Sequence, residues 1–407
     1  MSAATSAART GLLSHLTVLD ITNFLAGPYG SQILGDLGAR VVKIEPPDGD
    51  ITRTTPPHFL KGESAYYLSV NRNKESVVLN LKVKEGQALF LEMVKRADIV
   101  FENYRPGVLE RLGIGFEALR KVNPRIVMCS VSGFGQDGPY RDRPAYDIIV
   151  QAMSGGMSMT GEEGGRAVRA GVPLGDLAAG MFGVIGALAG VAHVNATGEG
   201  KHIDVAMLDC QISMLTYQAA YYLMSGEVPG LQGRGHRSLT TYRAYLCGDG
   251  IEIVVAANSE KMWEGLCEVL GHAELPKDPR FQERKARLKN RAQLDAILEA
   301  AFLLQRSDEV LSALEQAGVP SAPINSVDRA LSDPQVKHRG MVVDLRSDEG
   351  DTLRVVGNPV KVRGCDEENL GFPPRLGADT THVLEDLLGA TREAIEQWRE
   401  RGIVGGA

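Results

Sequence analysis

The chain has 407 residues, of which 43% are hydrophobic and 23% charged, proportions typical of a globular protein with room for two domains. Its 44 basic and 51 acidic residues give a net charge of −7, which argues against a nucleic-acid-binding surface. The five cysteines lack C-x-x-C spacing, which predicts a reducing compartment without disulfides or a structural zinc site.

The first eleven residues are small and polar and lack the apolar core of a signal peptide. We therefore expect a loose tail and a cytoplasmic protein, with the mitochondrial matrix as the alternative. The stretch 178–194 is rich in glycine and alanine, and we interpret it as too weakly hydrophobic to span a membrane.

Short apolar segments alternate with helical patterns through the first part of the chain. The expected strands cover residues 16–22, 40–45, 75–81, 98–102 and 125–131. The expected helices cover residues 27–37 and 85–96 and begin again at 107–112. This alternation predicts an α/β protein with a mostly parallel sheet.

Asp176 precedes a long run of small residues, 178–192, which predicts a tightly packed helix. The local sequence permits two interpretations of this acid. It is either the N-cap of that helix, or a nucleophile that the positive end of the helix dipole keeps ionised.

The pattern changes after residue 205. We expect a helix over 209–223, a hairpin of strands 243–247 and 251–256, helices over 260–320, strand character over 340–365 and a terminal helix over 380–403. The domains we expect are a large domain (1–205), a linker helix (206–224), a small domain (225–330), and a return linker with the last part of the large domain (331–407).

The chain lacks the sequence motifs that bind two common classes of cofactor, dinucleotides and nucleoside triphosphates. Glu45 would suit a ribose, but Gly27 and Gly30 do not form G-x-G-x-x-G after the first strand, and no P-loop motif occurs. The eight histidines show no metal-ligand spacing, so we expect no metal.

An ordered set of short segments covers nearly the whole chain. These segments are Leu19-Asp20, Ala26-Gly27-Pro28, Gly38-Ala39, Lys43-Ile44-Glu45, Asn71-Arg72-Asn73-Lys74, 102–107, Asn123-Pro124-Arg125, 132–135, Tyr146-Asp147, Leu174-Gly175-Asp176, 198–200, 204–209 and Leu376-Gly377. In this order they resemble the class III CoA-transferases, the family of formyl-CoA transferase and carnitine CoA-transferase. The resemblance implies a Rossmann-like large domain, a smaller α+β domain and an interlocked homodimer. It also implies Asp176 as the nucleophile and coenzyme A esters as substrates, without a permanently bound cofactor.

The resemblance further implies a set of CoA contacts. They are Phe24, Leu25, Ala26, Leu79, Lys82, Asn103, Tyr104, Arg111 and Tyr146. Lys82 and Arg111 are the natural phosphate partners, although each could be an ordinary surface charge. Asn103 could instead cap the helix after Pro106, and Met207 is either a pocket residue or a core residue. Pro46-Pro47 departs from the arginine that the family often has there, which leaves the adenine end unassigned.

Three functions fit this resemblance. The α-methylacyl-CoA racemases share the fold but carry His-Asp where this chain has Tyr146-Asp147, and a phenol is a poor base near neutral pH. We therefore favour CoA transfer through an aspartyl anhydride and an aspartyl-CoA thioester, with backbone N–H groups near Gly175 and in the later Gly-rich loop as candidate oxyanion donors. A non-catalytic acyl-CoA-binding protein is the third possibility.

Residues 233–237 align with a mobile glycine loop of the family, so the resemblance implies a lid. The segment contains Gly233, Arg234, Gly235, His236 and Arg237. We expect its basic residues to bind the second carboxylate of a dicarboxylic acceptor, with a solvated basic loop as the alternative. Succinyl-CoA is the expected donor.

Overall fold

The computed structural model describes residues 11–363 and 370–406. In chain order the strands are β1 (Thr17–Ile21), β2 (Arg40–Glu45), β3 (Phe59–Leu60), β4 (Glu63–Ser64), β5 (Lys74–Leu79), β6 (Ile99–Glu102), β7 (Val127–Ser132), β8 (His202–Ala206), β9 (Gly235–His236), β10 (Leu239–Leu246), β11 (Glu252–Ala256), β12 (Ser321–Pro323), β13 (Val342–Arg346), β14 (Thr352–Val356) and β15 (Val404–Gly405).

The helices follow the same numbering. They are α1 (Ala26–Asp36), α2 (Ala65–Ser69), α3 (Lys84–Val94), α4 (Val108–Leu112), α5 (Phe116–Val122), α6 (Asp147–Met153), α7 (Gly156–Met159), α8 (Leu174–Thr197), α9 (Met207–Met214), α10 (Tyr217–Ser225), α11 (Glu260–Val269), α12 (Arg284–Lys289), α13 (Arg291–Leu303), α14 (Ser307–Gln316), α15 (Val327–Ser332), α16 (Pro334–His338), α17 (Thr380–Leu388) and α18 (Arg392–Glu400). Single 3-10 turns cover Ile51–Thr54 and Leu275–Lys277.

The chain divides into two compact units. The described residues of unit 1 lie in the ranges up to 156, 169–220 and from 338 onward, and unit 2 comprises Met157–Val168 and Tyr221–Lys337. The small domain expected over 225–330 lies within the longer segment of unit 2. Residues 157–168, which we expected in the large domain, pack instead with unit 2.

Unit 1 is built around a seven-stranded sheet in the order β15-β5-β2-β1-β6-β7-β8. The pairs from β5 to β8 are all parallel, and only the edge strand β15 runs antiparallel. The inner strands are buried because helices cover both faces of the sheet, and they contain buried polar side chains such as Asp20, Lys43 and Glu45 beside their apolar residues. The α/β prediction is therefore confirmed. The strand order reverses between β1 and β6, which is where open α/β sheets bind ligands.

Small residues bring α8 against α1. A Cβ on Gly180 would lie 2.6 Å from the backbone oxygen of Ala26, and a Cβ on Gly30 would lie 2.8 Å from the backbone oxygen of Gly180. Only glycine permits this backbone approach. The close packing fixes the start of α8, and with it Asp176, relative to the turn after β1.

Gly180→Ala is therefore expected to lower the free energy of unfolding by about 2 kcal/mol, because overpacking outweighs the higher helix propensity of alanine. Chemical denaturation measures the change. The matched control is Gly171→Ala, because a Cβ at that position meets no atom within 4 Å. Equal stability of the two variants would contradict the packing assigned to Gly180.

The apolar character of α8 is stronger than we expected from its composition. An 18-residue window of α8 has a mean hydropathy of 1.9, so the helix is long and apolar enough to span a membrane, and 44% of that window is buried. The interpretation of this stretch as too weakly hydrophobic was wrong. One face of α8 packs on α1, β7 and β8, as expected for the core helix of an α/β unit.

Unit 2 contains an antiparallel sheet in the order β12-β11-β10-β9. The expected hairpin is present, with Tyr242 opposite Ala256 and Leu246 opposite Glu252. Helices α11, α13 and α14 cover the sheet through a core that includes Trp263, Phe281 and Phe302.

Three local features differ from the sequence-based expectation. Strand β8 was not predicted, because polar His202 and Asp204 interrupt its apolar pattern. The helix expected over 209–223 is divided into α9 and α10 near Thr216, which has a φ of 47°. The terminal helix is likewise divided into α17 and α18 by Gly389, and the strand region expected over 340–365 is the hairpin of β13 and β14. Cys365 lies outside the described residues.

Candidate active site

A cavity of about 310 Å³ opens in unit 1 and includes residues that follow β1, β6 and β7. It is lined by Phe24, Ala26, Tyr66, Asn103, Tyr104, Arg105, Pro106, Val131, Ser132, Gly133, Phe134, Arg141, Arg143, Ala145, Tyr146, Asp176 and Met207. Six residues expected at the site are thus brought together: Asp176, Phe24, Ala26, Asn103, Tyr104 and Tyr146. The cavity lies at the switch point of the sheet.

Asn103 joins the two loops that form the base of this cavity. Its Oδ1 accepts from the backbone N–H of Asn23 at 2.8 Å, and its Nδ2 donates to the backbone oxygen of Asn23, also at 2.8 Å. The N-cap of α4 is Gly107, without a side-chain cap, so the alternative role of Asn103 as a helix cap is wrong. Asn103 fixes the end of β1 relative to the end of β6.

An aromatic pair forms one edge of the cavity. The rings of Phe24 and Tyr146 meet edge to face with centroids 6.2 Å apart, and both side chains are exposed. Phe24 has a φ of 63°, a left-handed conformation that is strained for a residue with a side chain and that clusters at functional sites.

Asp176 lies in the first turn of α8, and its side chain faces the cavity. The N-cap position of α8 belongs to Pro173, so the interpretation of Asp176 as the N-cap is wrong. Burial, with a smaller contribution from the neighbouring carboxylate of Asp147, raises the pKa of Asp176 to about 7. The expectation that the helix dipole keeps this carboxylate fully ionised is therefore also wrong.

Asp147 is the smaller of the two causes that raise the pKa of Asp176. Its Oδ1 accepts from the backbone N–H of Gly175 at 2.7 Å and from that of Asp176 at 3.4 Å. Its Oδ2 accepts from Nε2 of Gln151 at 2.6 Å. A fixed carboxylate thus already occupies the N-terminus of α8, and its negative charge opposes ionisation of Asp176.

The positive charge at the cavity comes from arginines that were not among the site residues expected from the sequence. Arg105, Arg141 and Arg143 line the wall, and Arg143 stacks on the ring of Tyr140 at 3.9 Å. A Cβ on Gly107 would lie 2.9 Å from Nη2 of Arg141 and 3.2 Å from Nη1 of Arg111. Two guanidinium groups therefore converge over Gly107.

Four of the expected CoA contacts do not line this cavity: Leu25, Leu79, Lys82 and Arg111. The side chain of Leu79 is 1% exposed and belongs to the core of unit 1, which leaves it no surface for a ligand. Lys82 is exposed after β5, and Leu25 is the N-cap residue of α1. Met207 fits both of its interpretations, since it lines the cavity and is buried in the core.

The expected lid lies in unit 2. Gly235 and His236 form β9, which pairs with β10, and Gly233 has a φ of 59°. Arg234 contacts Glu252, and Arg237 lies 3.4 Å from Glu227. Exposed pairs of this kind contribute little stability and exchange readily. Movement of this segment stays a prediction.

Within residues 11–363 and 370–406, no group of three or more His, Cys, Asp or Glu side chains is arranged to hold a metal ion. The four cysteines of this part of the chain are free and buried. The chemistry of the cavity therefore rests on carboxylates, amides, arginines and aromatic rings.

Comparison with known proteins agrees with this geometry. The family model described as CoA-transferase family III matches residues 13–380. An acetyl-CoA:oxalate CoA-transferase from Acetobacter aceti is 41% identical over 92% of this chain and 95% of its own length. A succinate–glutarate CoA-transferase from Agrobacterium fabrum is 38% identical over 94% of this chain and 97% of its own.

A solved structure matches most of the chain. The crystal structure of a CaiB/BaiF family protein from Brucella suis superposes with a TM-score of 0.84 at 35% identity, covering 93% of this chain and 100% of that one. The family resemblance of the sequence is thereby confirmed. The chain belongs to CoA-transferase family III.

Proposed function

We propose that this protein transfers CoA from succinyl-CoA to a small dicarboxylate, with Asp176 as the nucleophile. The observation that carries the proposal is the partly buried Asp176 carboxylate in the cavity at the switch point of unit 1. Two relatives support a dicarboxylate acceptor, since their names include glutarate and oxalate. One of these names includes succinate, the acid that succinyl-CoA releases when it acts as the donor.

The proposed reaction has four steps that balance. Asp176 attacks the thioester carbon of succinyl-CoA; a C–O bond forms, the C–S bond breaks, and CoA leaves as the thiolate. The thiolate attacks the Asp176 carbonyl of this anhydride, which releases succinate and forms an aspartyl-CoA thioester. The acceptor carboxylate then displaces the thiolate, and the thiolate returns to the acceptor acyl carbon, which frees Asp176.

A panel assay tests the substrate assignment. Succinyl-CoA and acetyl-CoA are each incubated with the enzyme and glutarate, oxalate or a monocarboxylate, and the CoA esters are separated by chromatography. New CoA esters of dicarboxylates, formed with succinyl-CoA, are expected. Exchange of an α-proton for deuterium in a 2-methylacyl-CoA, without a new ester, would favour the racemase alternative instead.

The convergence of Arg111 and Arg141 over Gly107 supports a site for the diphosphate of CoA. Arg141 uses Nε for the backbone oxygen of Gln136 and Nη1 for Asp142, which leaves Nη2 to face Gly107 and Arg111. Two like charges held close together stabilise a bound anion, and a diphosphate matches their geometry.

Truncated substrates test the arginine pair. Arg141→Ala is expected to raise KM about 10- to 100-fold for succinyl-CoA and for succinyl-dephospho-CoA, because each loses a charge-assisted hydrogen bond to the diphosphate. The KM for succinyl-pantetheine, which has no phosphate, should be unchanged. Arg120→Ala is the control, since Arg120 is exposed in α5 and pairs with Glu117. An equal loss with all three esters would contradict the assignment.

We also propose that the protein is a cytoplasmic homodimer of the interlocked type. One face of α8 is apolar and exposed in the single chain: Met181 is 44%, Phe182 38% and Ile185 62% exposed. Covering such side chains stabilises a dimer by about 25 cal/mol per Å² of apolar surface. Light scattering after size exclusion should give twice the chain mass; a monomer that transfers CoA would rule the dimer out.

A further inference from the structure

A buried amide beside Gly175, the residue before Asp176, has an unused donor. Gln211, in α9, is 7% exposed. Its Oε1 accepts from the hydroxyl of Ser154 at 2.8 Å. Its Nε2 is buried and finds no hydrogen-bond partner among the described residues.

This donor lies against the first turn of α8. A Cβ on Gly175 would be 2.6 Å from Nε2 of Gln211 and 3.0 Å from Oδ1 of Asp147, so the absence of a side chain at Gly175 makes room for the amide. The nitrogen, not the oxygen, faces this position because two oxygens facing each other across it would repel. The orphan N–H therefore lies beside the residue that precedes the nucleophile.

The backbone donors near Gly175 that we expected to stabilise an oxyanion are already engaged. The N–H groups of Gly175 and Asp176 both donate to Asp147, and the N–H of Leu177 donates to the backbone oxygen of Pro173 at 3.1 Å. The expectation based on Gly175 was therefore wrong for this conformation. The reaction still needs a donor where negative charge develops.

We propose that Nε2 of Gln211 donates to the oxygen that becomes negative when the CoA thiolate attacks acylated Asp176. In that step the C–S bond forms and the carbonyl π pair moves onto the oxygen; the oxyanion then collapses and expels the donor carboxylate. This role rests on the proposed function. It explains why the folded protein retains a buried donor without a partner, which is destabilising until the acceptor forms.

The test is Gln211→Met, which keeps the length of the side chain and removes the donor. The rate at which the aspartyl-CoA thioester forms on Asp176 and kcat are each expected to fall about 100-fold or more, as for loss of one oxyanion donor, while the succinyl anhydride still forms. The Kd for CoA should stay within about twofold, and the melting temperature should be unchanged or higher. The Ser154 hydroxyl keeps an acceptor, the backbone oxygen of Gln151 at 3.1 Å.

A second variant and a control separate catalysis from folding. Ser154→Ala leaves Nε2 in place but releases Oε1, so a smaller loss of rate is expected, again without loss of CoA binding. Gln87 lies in α3 and is 8% exposed, and its Nε2 donates to the backbone oxygen of Leu81 at 3.0 Å. Gln87→Met removes this buried amide. That change should lower the melting temperature and leave the rate intact.

Two results would overturn the role of Gln211. One is a wild-type rate of aspartyl-CoA formation in Gln211→Met; the other is a parallel fall of the melting temperature, CoA affinity and rate, which indicates a structural role. Failure of succinyl-CoA to label even the wild-type enzyme would instead reject the proposed function, and this role with it.

Discussion

Replacing Asp176 by alanine is expected to lower the rate of CoA transfer by about 10⁴-fold or more, because no other group supplies the nucleophile that forms the anhydride. CoA should still bind, since the aromatic pair and the arginines of the cavity are unchanged. Chromatography of the CoA esters measures the rate, and calorimetry measures the Kd for CoA.

The same substitution should raise stability at high pH. The pKa of Asp176 in the folded protein, about 7, lies above the ordinary value of 3.8. The Asp176 carboxyl therefore makes its full contribution to the stability of the folded protein below about pH 4, and this contribution is lost as the pH rises through 7. At pH 8, Asp176→Ala should unfold with a free energy higher by roughly 3 kcal/mol, discounted for partial exposure of the carboxyl.

A matched substitution controls for loss of a helix-terminal acid. Asp308 also lies in the first turn of its helix, α14 in unit 2, where it is exposed. Asp308→Ala should leave both the rate and the pH dependence of stability as in the wild type. Turnover by Asp176→Ala within tenfold of the wild type would reject the nucleophile.

Labelling of Asp176 by succinyl-CoA should be about 100-fold slower at pH 5 than at pH 8. With a pKa of about 7, only about 1% of the carboxyl is ionised at pH 5, and only the carboxylate attacks. Single-turnover labelling followed by mass spectrometry gives this profile without interference from later steps.

Asp147 sets part of that profile. Asp147→Asn keeps an oxygen for the backbone N–H of Gly175 but removes the negative charge that opposes ionisation of Asp176. The acidic limb of the profile should therefore move to lower pH, with faster labelling at pH 5. Gln151→Met is the control, because it removes the hydrogen bond to Asp147 and keeps its charge. An unchanged limb in Asp147→Asn would contradict the influence of this carboxylate.

The sequence predicted the parallel sheet well because its inner strands are short, mostly apolar segments that alternate regularly with helical patterns. The sequence did not predict a strand that polar residues help to hold in the sheet. Strand β8 contains His202, whose Nε2 lies 2.8 Å from the Ser130 hydroxyl, and Asp204, which accepts from the N–H of Gln136. Such partners are distant in sequence, so local periodicity does not reveal them.

The site was predicted in part. Asp176 follows from its Gly-rich turn and from the family resemblance, but its raised pKa depends on burial and, to a smaller extent, on Asp147, which is 29 residues away in the chain and meets it only in the fold. Gln211 lies in a stretch that the sequence predicted only as helix. Its unpartnered Nε2 results from packing in the folded chain, which the sequence does not show. The Tyr146-Asp147 dipeptide is the sequence feature that points to this part of the site, but the comparison with the racemases used only its tyrosine and did not predict the role of Asp147.

The arginines near the cavity also could not be predicted from local sequence patterns. Arg111 and Lys82 were expected at the phosphates because the resemblance implied them, whereas Arg141 was not. Only the fold places Arg141 beside Arg111 over Gly107. Charge pairs of this kind arise from the path of the loop between β7 and α6, which carries no periodic pattern to predict it.

The most direct test of the account is mass spectrometry of the peptide that contains Asp176, after acid quenching of the enzyme mixed with succinyl-CoA. An added succinyl group or CoA on Asp176, which disappears on addition of a dicarboxylate acceptor, is the predicted result. Rapid transfer of CoA to the acceptor with no label at Asp176 at any quench time would contradict it.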